Sequence, residues 1–449
     1  MFRWLAAMTE GRGTGSALRA LAALCLLIPA AARAEGVPSL VFEPQTGRVL
    51  LEERSSEPWR PASLTKLMTA YLTFSALKAG TLKLDQRISV SAEAEKVEPS
   101  KIGMPAGSQI SVDLALKSLL VYSANDMAVV LAEGIAGTMP KFVEAMNAAA
   151  KRFGMSGTYY ANPHGLNDPR QVTTARDIGV LVSHIIREFP EYSSYFSAPF
   201  VQVGKRKLSN RNALLRQMPA ADGMKTGFIC DSGYNLVGSA TLEGRRLVAV
   251  VLGAKSGKAR ADLAQLLLES GAAEFASGLV QDRPLLATLP DTAAGTKEPE
   301  SMRDTVCKGA DLIAYADPRQ IAGWGVSFGR YPTADRADAV LSGRLLATRK
   351  VFMGGASGVM KVPGTKDFAA VVWSMEQPTT LTLCNYLRTR HAYCEVVPPE
   401  TFSGLSAQAI QEEEEQRKAL AAAAAAKSKT KARKKPKRPV QVPQPASGQ

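Results

Sequence analysis

The 449-residue chain holds only three histidines, His164, His184 and His391. None stands in a G-x-S-x-G turn and no H-E-x-x-H pair occurs, which excludes an elbow-type Ser-His-Asp hydrolase and that class of zinc hydrolase. Cysteine is scarce too. The five cysteines include no C-x-x-C spacing, so the sequence offers no metal site, and it implies no cofactor. Aromatics make up 6% against 46% hydrophobic residues, a balance that fits a globular protein with an ample aliphatic core. Long apolar runs are missing. The stretch from Leu21 to Ala32 is too short to span a bilayer. It follows Arg3, Arg12 and Arg19 and precedes Ala32-Arg33-Ala34, so residues 1–34 read as an export signal with an A-x-A cleavage site.

Export places the mature chain in the periplasm or cell envelope, where disulfides are permitted. Cys384 and Cys394 are near in sequence and form the obvious pair, with unpaired buried thiols as the alternative. Cys230 reads as a packed small residue. The net charge of +14 is unevenly spread. The first 34 residues hold four Arg against one Glu, and 427–438 hold eight cations and no acid, which leaves about +3 for the remainder. The basicity is therefore a property of the tail. In an exported protein its partner is an anionic envelope surface, not nucleic acid.

What is present is a mixed α/β pattern. The stretch "LVFEPQTGRVLLE" reads as a hairpin, and "YNLVGSATLEGRRLVAVVLG" as two strands around Glu243-Gly244. Helical periodicity predicts helices over 63–78, 114–134, 139–153, 174–188 and 259–269. The first of these carries Ser63 and Lys66 in "SLTK". Serine suits a helix start, but a lysine in the first turn opposes the helix dipole. Three residues apart, the two share a face, so the lysine can serve as a base for the hydroxyl. Two further clusters accompany the pair. Ser123 and Asn125 interrupt an apolar run in "LLVYSANDMAVVLAE". Lys225, Thr226 and Gly227 open an apolar strand in "DGMKTGFIC", offering a cation, a hydroxyl and room for a substrate backbone.

S-x-x-K, S-x-N and K-T-G in this order resemble the penicillin-recognising serine D,D-peptidases, in particular the low-molecular-mass D-alanyl-D-alanine carboxypeptidases. The resemblance covers about residues 37–278 and extends to "NPHGL", "TTARD" and "NRNALL". It implies an α/β (α+β) fold: an antiparallel sheet flanked by helices, with the active site between the sheet edge and an all-helical part. It also implies roles. Ser63 would attack the D-Ala-D-Ala bond with Lys66 as base and Ser123 as proton relay. Asn125 would hold the substrate amide, and Thr226, Arg211 and Lys225 the terminal carboxylate. The N–H groups of Ser63 and Phe228 would form the oxyanion hole beside Gly227. His164 would orient a loop. The expected substrates are peptidoglycan pentapeptide stems, and β-lactams would act as covalent inhibitors. A D,D-endopeptidase or a non-catalytic peptidoglycan-binding protein remains the alternative, and a β-lactamase lacks a suitable deacylating glutamate motif.

The polar stretch across 279–315 reads as a linker. A β-α-β-β-α-β order follows within 316–400, with helices on one face of a small antiparallel sheet. Through "WGVSFGRY" and "FAAVVW" this part resembles a SPOR domain, which implies binding to glycan strands and a unit that folds by itself. Residues 401–449 read as a charged helix followed by a disordered basic tail.

Overall fold

In a computed structural model the described residues are 36–276, 278, 280–307, 315–348, 352 and 354–433, with side chains to residue 422. The expected signal segment and the final 434–449 lie outside them. The strands in chain order are β1 (Ser39–Glu43), β2 (Arg48–Glu53), β3 (Arg87–Ser89), β4 (Gln109–Ser111), β5 (Phe200–Val203), β6 (Arg206–Ser209) and β7 (Ala221–Ile229). They continue with β8 (Gly233–Leu242), β9 (Arg245–Ala254), β10 (Trp324–Tyr331), β11 (Ala356–Lys361), β12 (Phe368–Met375) and β13 (Glu395–Val397).

Five strands form an antiparallel sheet in the order β2-β1-β9-β8-β7, which leaves β7 on the edge. Strand alternation divides β9 between two cores. Val248, Val250 and Leu252 face the helices Lys66–Lys78, Asn125–Ala136, Met139–Arg152 and Ala175–Glu188. Leu247, Ala249 and Val251 face the helix Gly257–Ala276. Covering both faces explains why β8 and β9 read as nearly unbroken apolar runs. This is the expected helix-flanked antiparallel sheet.

The continuous helix expected over 114–134 is broken. A helix Val112–Lys117 passes into a π-turn, Ser118–Tyr122, and then Ser123 adopts φ 68° and ψ 37°. A new helix starts at Asn125. π-turns of this kind recur at functional sites.

The 279–315 stretch is not a free tether over its described part. Met302 is buried in the first core, and Arg303 makes a two-pronged ion pair with Asp231 at 2.9 and 2.7 Å. Cys307 is bonded to Cys230, so Cys230 is not merely a packed small residue; Cys384 is bonded to Cys394. The segment looked like a linker because its apolar anchors, Val280, Leu286, Leu289 and Met302, are few and widely spaced among polar residues, and charge pairs and one disulfide add to their hold.

The C-terminal sheet has the order β11-β12-β10-β13. Helices Ala334–Thr348 and Gln377–Arg388 pack on one face, as expected. The other face is covered as well, by Phe402 and Leu405 of the helix Pro399–Arg433, which corrects the one-sided expectation. Gly325 lies beneath Phe402, and a Cβ there would fall 2.4 Å from its ring.

This sheet is also not independent of the larger one. Leu266 of the Gly257–Ala276 helix belongs to the C-terminal core, and a Cβ on Gly343 would meet it at 2.2 Å. Arg336 pairs with Asp262 at 2.8 Å and Lys255 with Asp338 at 3.2 Å across the seam. Leu266→Ala is therefore expected to cost roughly 2–3 kcal/mol, from lost burial plus the cavity left behind. Thermal unfolding with limited proteolysis across the seam measures it; unchanged melting and cleavage would mean the seam carries no packing energy.

Candidate active site

The site begins at the segment ahead of Ser63. Trp59 Nε1 donates to the Ser232 carbonyl at 2.9 Å. The Asn235 amide donates to the carbonyls of Arg60 and Pro61 at 3.0 and 3.2 Å, while its oxygen accepts the Gly253 N–H at 2.9 Å. These bonds lock residues 59–61 against β8 and β9. Ala62 takes φ 47°, and a single 3₁₀ turn, Ala62–Thr65, carries Ser63 into the helix that starts at Lys66.

Gly227 on the edge strand backs onto this turn. A Cβ there would lie 3.0 Å from the Pro61 carbonyl oxygen and 3.2 Å from the Ser63 nitrogen. The expected reason for this glycine was room for a substrate. The protein's own backbone supplies a further reason, while Gly227 also lines the cleft.

Lys66 is fully buried. Its Nζ donates to Ser63 Oγ at 2.9 Å, to Asn125 Oδ1 at 2.7 Å and to the His164 carbonyl. Three acceptors use all three N–H vectors of an ammonium. In the neutral amine, Asn125 and His164 retain two N–H groups, so the lone pair takes the remaining direction, toward Ser63. Burial pushes the Lys66 pKa down to about 7; the Arg211 charge adds to this and the Asp126 charge opposes it.

Asn125 is committed at both ends, because its Nδ2 donates to the Glu98 carbonyl at 2.8 Å. The amide thus positions Lys66, and its second Nδ2 hydrogen remains at the cleft that Asn125 lines. The next residue, Asp126, accepts N–H bonds from Ile102 and Gly103, and so shapes the 99–104 loop.

The break at Ser123 turns its hydroxyl toward Lys225, whose Nζ donates to it at 2.9 Å and to the Thr226 carbonyl at 2.8 Å. Lys225 is also buried, and burial, then Lys66, Arg260 and Arg211, hold its pKa well below the usual lysine range. Burial and the nearby Lys66 lower the His164 pKa to about 3, so its ring is neutral, with Nδ1 accepting the Leu166 N–H at 3.1 Å. Arg211 donates to Ser100 Oγ at 2.8 Å and the Tyr122 carbonyl at 2.9 Å.

The cleft above these groups measures about 460 Å³ and is lined by Ser63, Ser123, Asn125, Arg211, Thr226 and Phe228, among others. Lys66 and Lys225 lie directly behind its wall, each bonded to a lining serine. The nine residues expected to act on or bind the substrate meet here, and His164 adjoins them through its carbonyl on Lys66. Three that matter were not singled out: Asp126, Asn235 and Arg260. Arg260 donates to the Gly227 and Asn235 carbonyls at 3.1 and 3.2 Å and supplies a second cation to the cleft. Asp126 adjoins the S-x-N cluster and was within reach of the sequence. The other two act through contacts 18 to 175 residues away and leave no local signature. Among the described residues no His/Cys/Asp/Glu group could hold a metal ion.

A family profile described as "D-alanyl-D-alanine carboxypeptidase" matches residues 29–256. Among curated relatives, D-alanyl-D-alanine carboxypeptidase DacA of Haemophilus influenzae is 37% identical over 53% of this chain and 61% of its own length. DacC of Escherichia coli is 37% identical over 57% of this chain and 69% of its own length. Among solved structures, DacD from Francisella tularensis is 31% identical with a TM-score of 0.50, covering 54% of this chain and 71% of that one. PBP3 from Streptococcus pneumoniae, 28% identical, gives 0.51 over 53% and 74%. The chain thus spans about three fifths of the first relative's length.

Proposed function

Since the chain belongs to the D-alanyl-D-alanine carboxypeptidase family, we propose that it is a serine D,D-carboxypeptidase that removes the terminal D-alanine from peptidoglycan pentapeptide stems. The observation that carries this reading is the coordination of Lys66. A buried amine with a pKa near 7 is held by two fixed acceptors so that its third direction meets Ser63.

Neutral Lys66 takes the Ser63 proton as Oγ adds to the carbonyl of the scissile bond. The N–H groups of Ser63 and Phe228 receive the developing oxyanion. The proton passes through Ser123 to the departing D-alanine nitrogen, and the C–N bond breaks to leave an acyl ester on Ser63. Thr226 and Arg211 hold the terminal carboxylate in the field of Lys225. Water then attacks the ester, Lys66 accepts its proton, and Ser63 recovers its own. Asn125 positions Lys66 through its oxygen and holds the substrate amide with its second Nδ2 hydrogen. A β-lactam fits the same path, its amide carbonyl taking the place of the scissile one, and stops at the ester.

In this reading residues 1–34 direct export to the periplasm or envelope, and residues 35–278 form the catalytic domain. Residues 316–400 are a SPOR-like unit on glycan strands, and the basic residues of 401–449 favour an anionic envelope surface. Product analysis on purified wall fragments tests the enzyme. Stem pentapeptide is expected to yield free D-alanine and tetrapeptide. Splitting of cross-linked dimers without D-alanine release would turn the reading to an endopeptidase. Neither product, with Ser63 intact, would leave a non-catalytic wall-binding protein.

A further inference from the structure

The hairpin β5–β6 carries Lys205, Arg206 and Lys207 at and beside its turn, all exposed. Among the described residues none of the three forms an ion pair with an acid. Arg206 donates to the Ile102 carbonyl and so docks the hairpin on the 99–104 loop. That loop also supplies Ser100 to Arg211, and Ser100 and Arg211 both line the cleft. The hairpin's other end is tied there too: the Asn210 N–H bonds the Pro199 carbonyl at 2.8 Å, and the Arg211 N–H bonds the Val121 carbonyl. Lys207 Nζ sits 4.0 Å from the centroid of Phe200, whose ring is itself exposed. The 95–98 stretch brings Glu95 and Glu98 near the loop, but neither pairs with the hairpin; a carbonyl of Glu95 takes Lys101. Arg211 thus lines the cleft, Arg206 is bonded to the loop beside it, and Lys205 and Lys207 flank Arg206 on the exposed hairpin, in a body whose net charge is otherwise small.

We propose that the β5–β6 hairpin is an electrostatic lip that raises capture of peptides carrying carboxylates beyond the terminal one. It would favour polyanionic wall stems over neutral peptides with the same two alanines. This rests on the D,D-peptidase reading. The physical basis is steering: a single-signed rim over a low-dielectric cleft raises the encounter rate of an oppositely charged ligand, and salt removes the effect. Lys205 and Lys207 touch no group of the catalytic apparatus, so their contribution belongs to kcat/KM and not to kcat.

The test is the double charge reversal Lys205→Glu with Lys207→Glu, leaving Arg206 to anchor the hairpin. One substrate is a stem pentapeptide whose second and third residues keep free carboxylates. The other is a diacylated tripeptide ending in D-Ala-D-Ala with a single carboxylate. At low salt the reversal is expected to lower kcat/KM for the pentapeptide by about tenfold, and for the tripeptide by less than about threefold, with kcat unchanged for both. At about 0.5 M salt the two variants should converge. Equal losses on both substrates, a fall in kcat, or no loss on either would overturn the proposal. If the wild type cleaves neither peptide, the peptidase reading fails. The lip is then read from second-order acylation by a dianionic against a zwitterionic β-lactam, and absence of a charge-dependent difference overturns it too. A variant that loses binding to phosphatidylglycerol vesicles while treating both peptides as the wild type does would make the hairpin a membrane contact instead.

Discussion

Replacing Lys66 with alanine is expected to slow acylation of Ser63 at least ~100-fold, the usual range for losing a positioned base. Ser63→Ala should abolish covalent β-lactam labelling altogether. Intact-protein mass after incubation with a penicillin reads both. The pH profile adds a signature that a structural role would not produce. A base works only when deprotonated, and burial brings Lys66 down to about 7. Acylation should therefore rise with pH up to about 7 and level off above it. That limb should vanish in Lys66→Ala. Its position should also answer to charge. Arg211 pushes the Lys66 pKa down, so Arg211→Gln should move the limb to higher pH. Asp126 pushes it up, so Asp126→Asn should move the limb to lower pH, provided the amide keeps its contacts to the 102–103 backbone. A limb indifferent to both substitutions would point to another titrating group, and labelling that persists in Ser63→Ala would remove Ser63 as the nucleophile.

How much of this was legible follows from the range of each interaction. Ser63 and Lys66 lie one turn apart, so sequence spacing alone puts them in contact. The strands β8 and β9 announce themselves because covering both faces makes them apolar throughout. Ser123 was flagged as chemistry inside a helix but not as the end of one. Its left-handed backbone is disfavoured locally and is held by tertiary structure, with Lys225, 102 residues on, bonded to its hydroxyl. Gly227 was read for its missing side chain, but its second neighbour was not legible, since the 3₁₀ turn that crowds it lies more than 160 residues earlier in the chain. The bond between Cys230 and Cys307 closes 77 residues, and no spacing rule links cysteines that far apart. The second cover on the C-terminal sheet escaped for a compositional reason. The C-terminal helix was read from its charges, but it begins at Pro399 and its first turns carry Phe402 and Leu405.

Gly165→Ala is expected to lose at least ~100-fold in kcat/KM, because about 1 Å of misplacement at a reacting group can cost that much. Gly165 has φ 88°, which an alanine adopts only under strain. A Cβ there would sit 1.9 Å from the Ala62 carbonyl oxygen and 2.9 Å from the Ser63 nitrogen. Both are backbone atoms with no side-chain freedom to yield. The glycine is pinned on its own side as well. Its N–H bonds Asn162 Oδ1 at 2.7 Å, and two residues earlier the Pro163 carbonyl accepts Thr69 Oγ1 at 2.7 Å. Either the 162–166 loop withdraws and takes the His164 carbonyl off Lys66, or the turn carrying Ser63 shifts; each spoils the alignment of base and nucleophile. His164→Ala supplies the contrast. It keeps the backbone carbonyl that holds Lys66 and removes only a neutral ring whose recorded bond is to the Leu166 N–H. Its expected loss is below about tenfold, under the usual range for removing a general base. Circular dichroism of both variants checks that the fold persists, and steady-state kinetics ranks them. The opposite ranking, with His164→Ala the more damaging, would move proton transfer from Lys66 to the histidine ring.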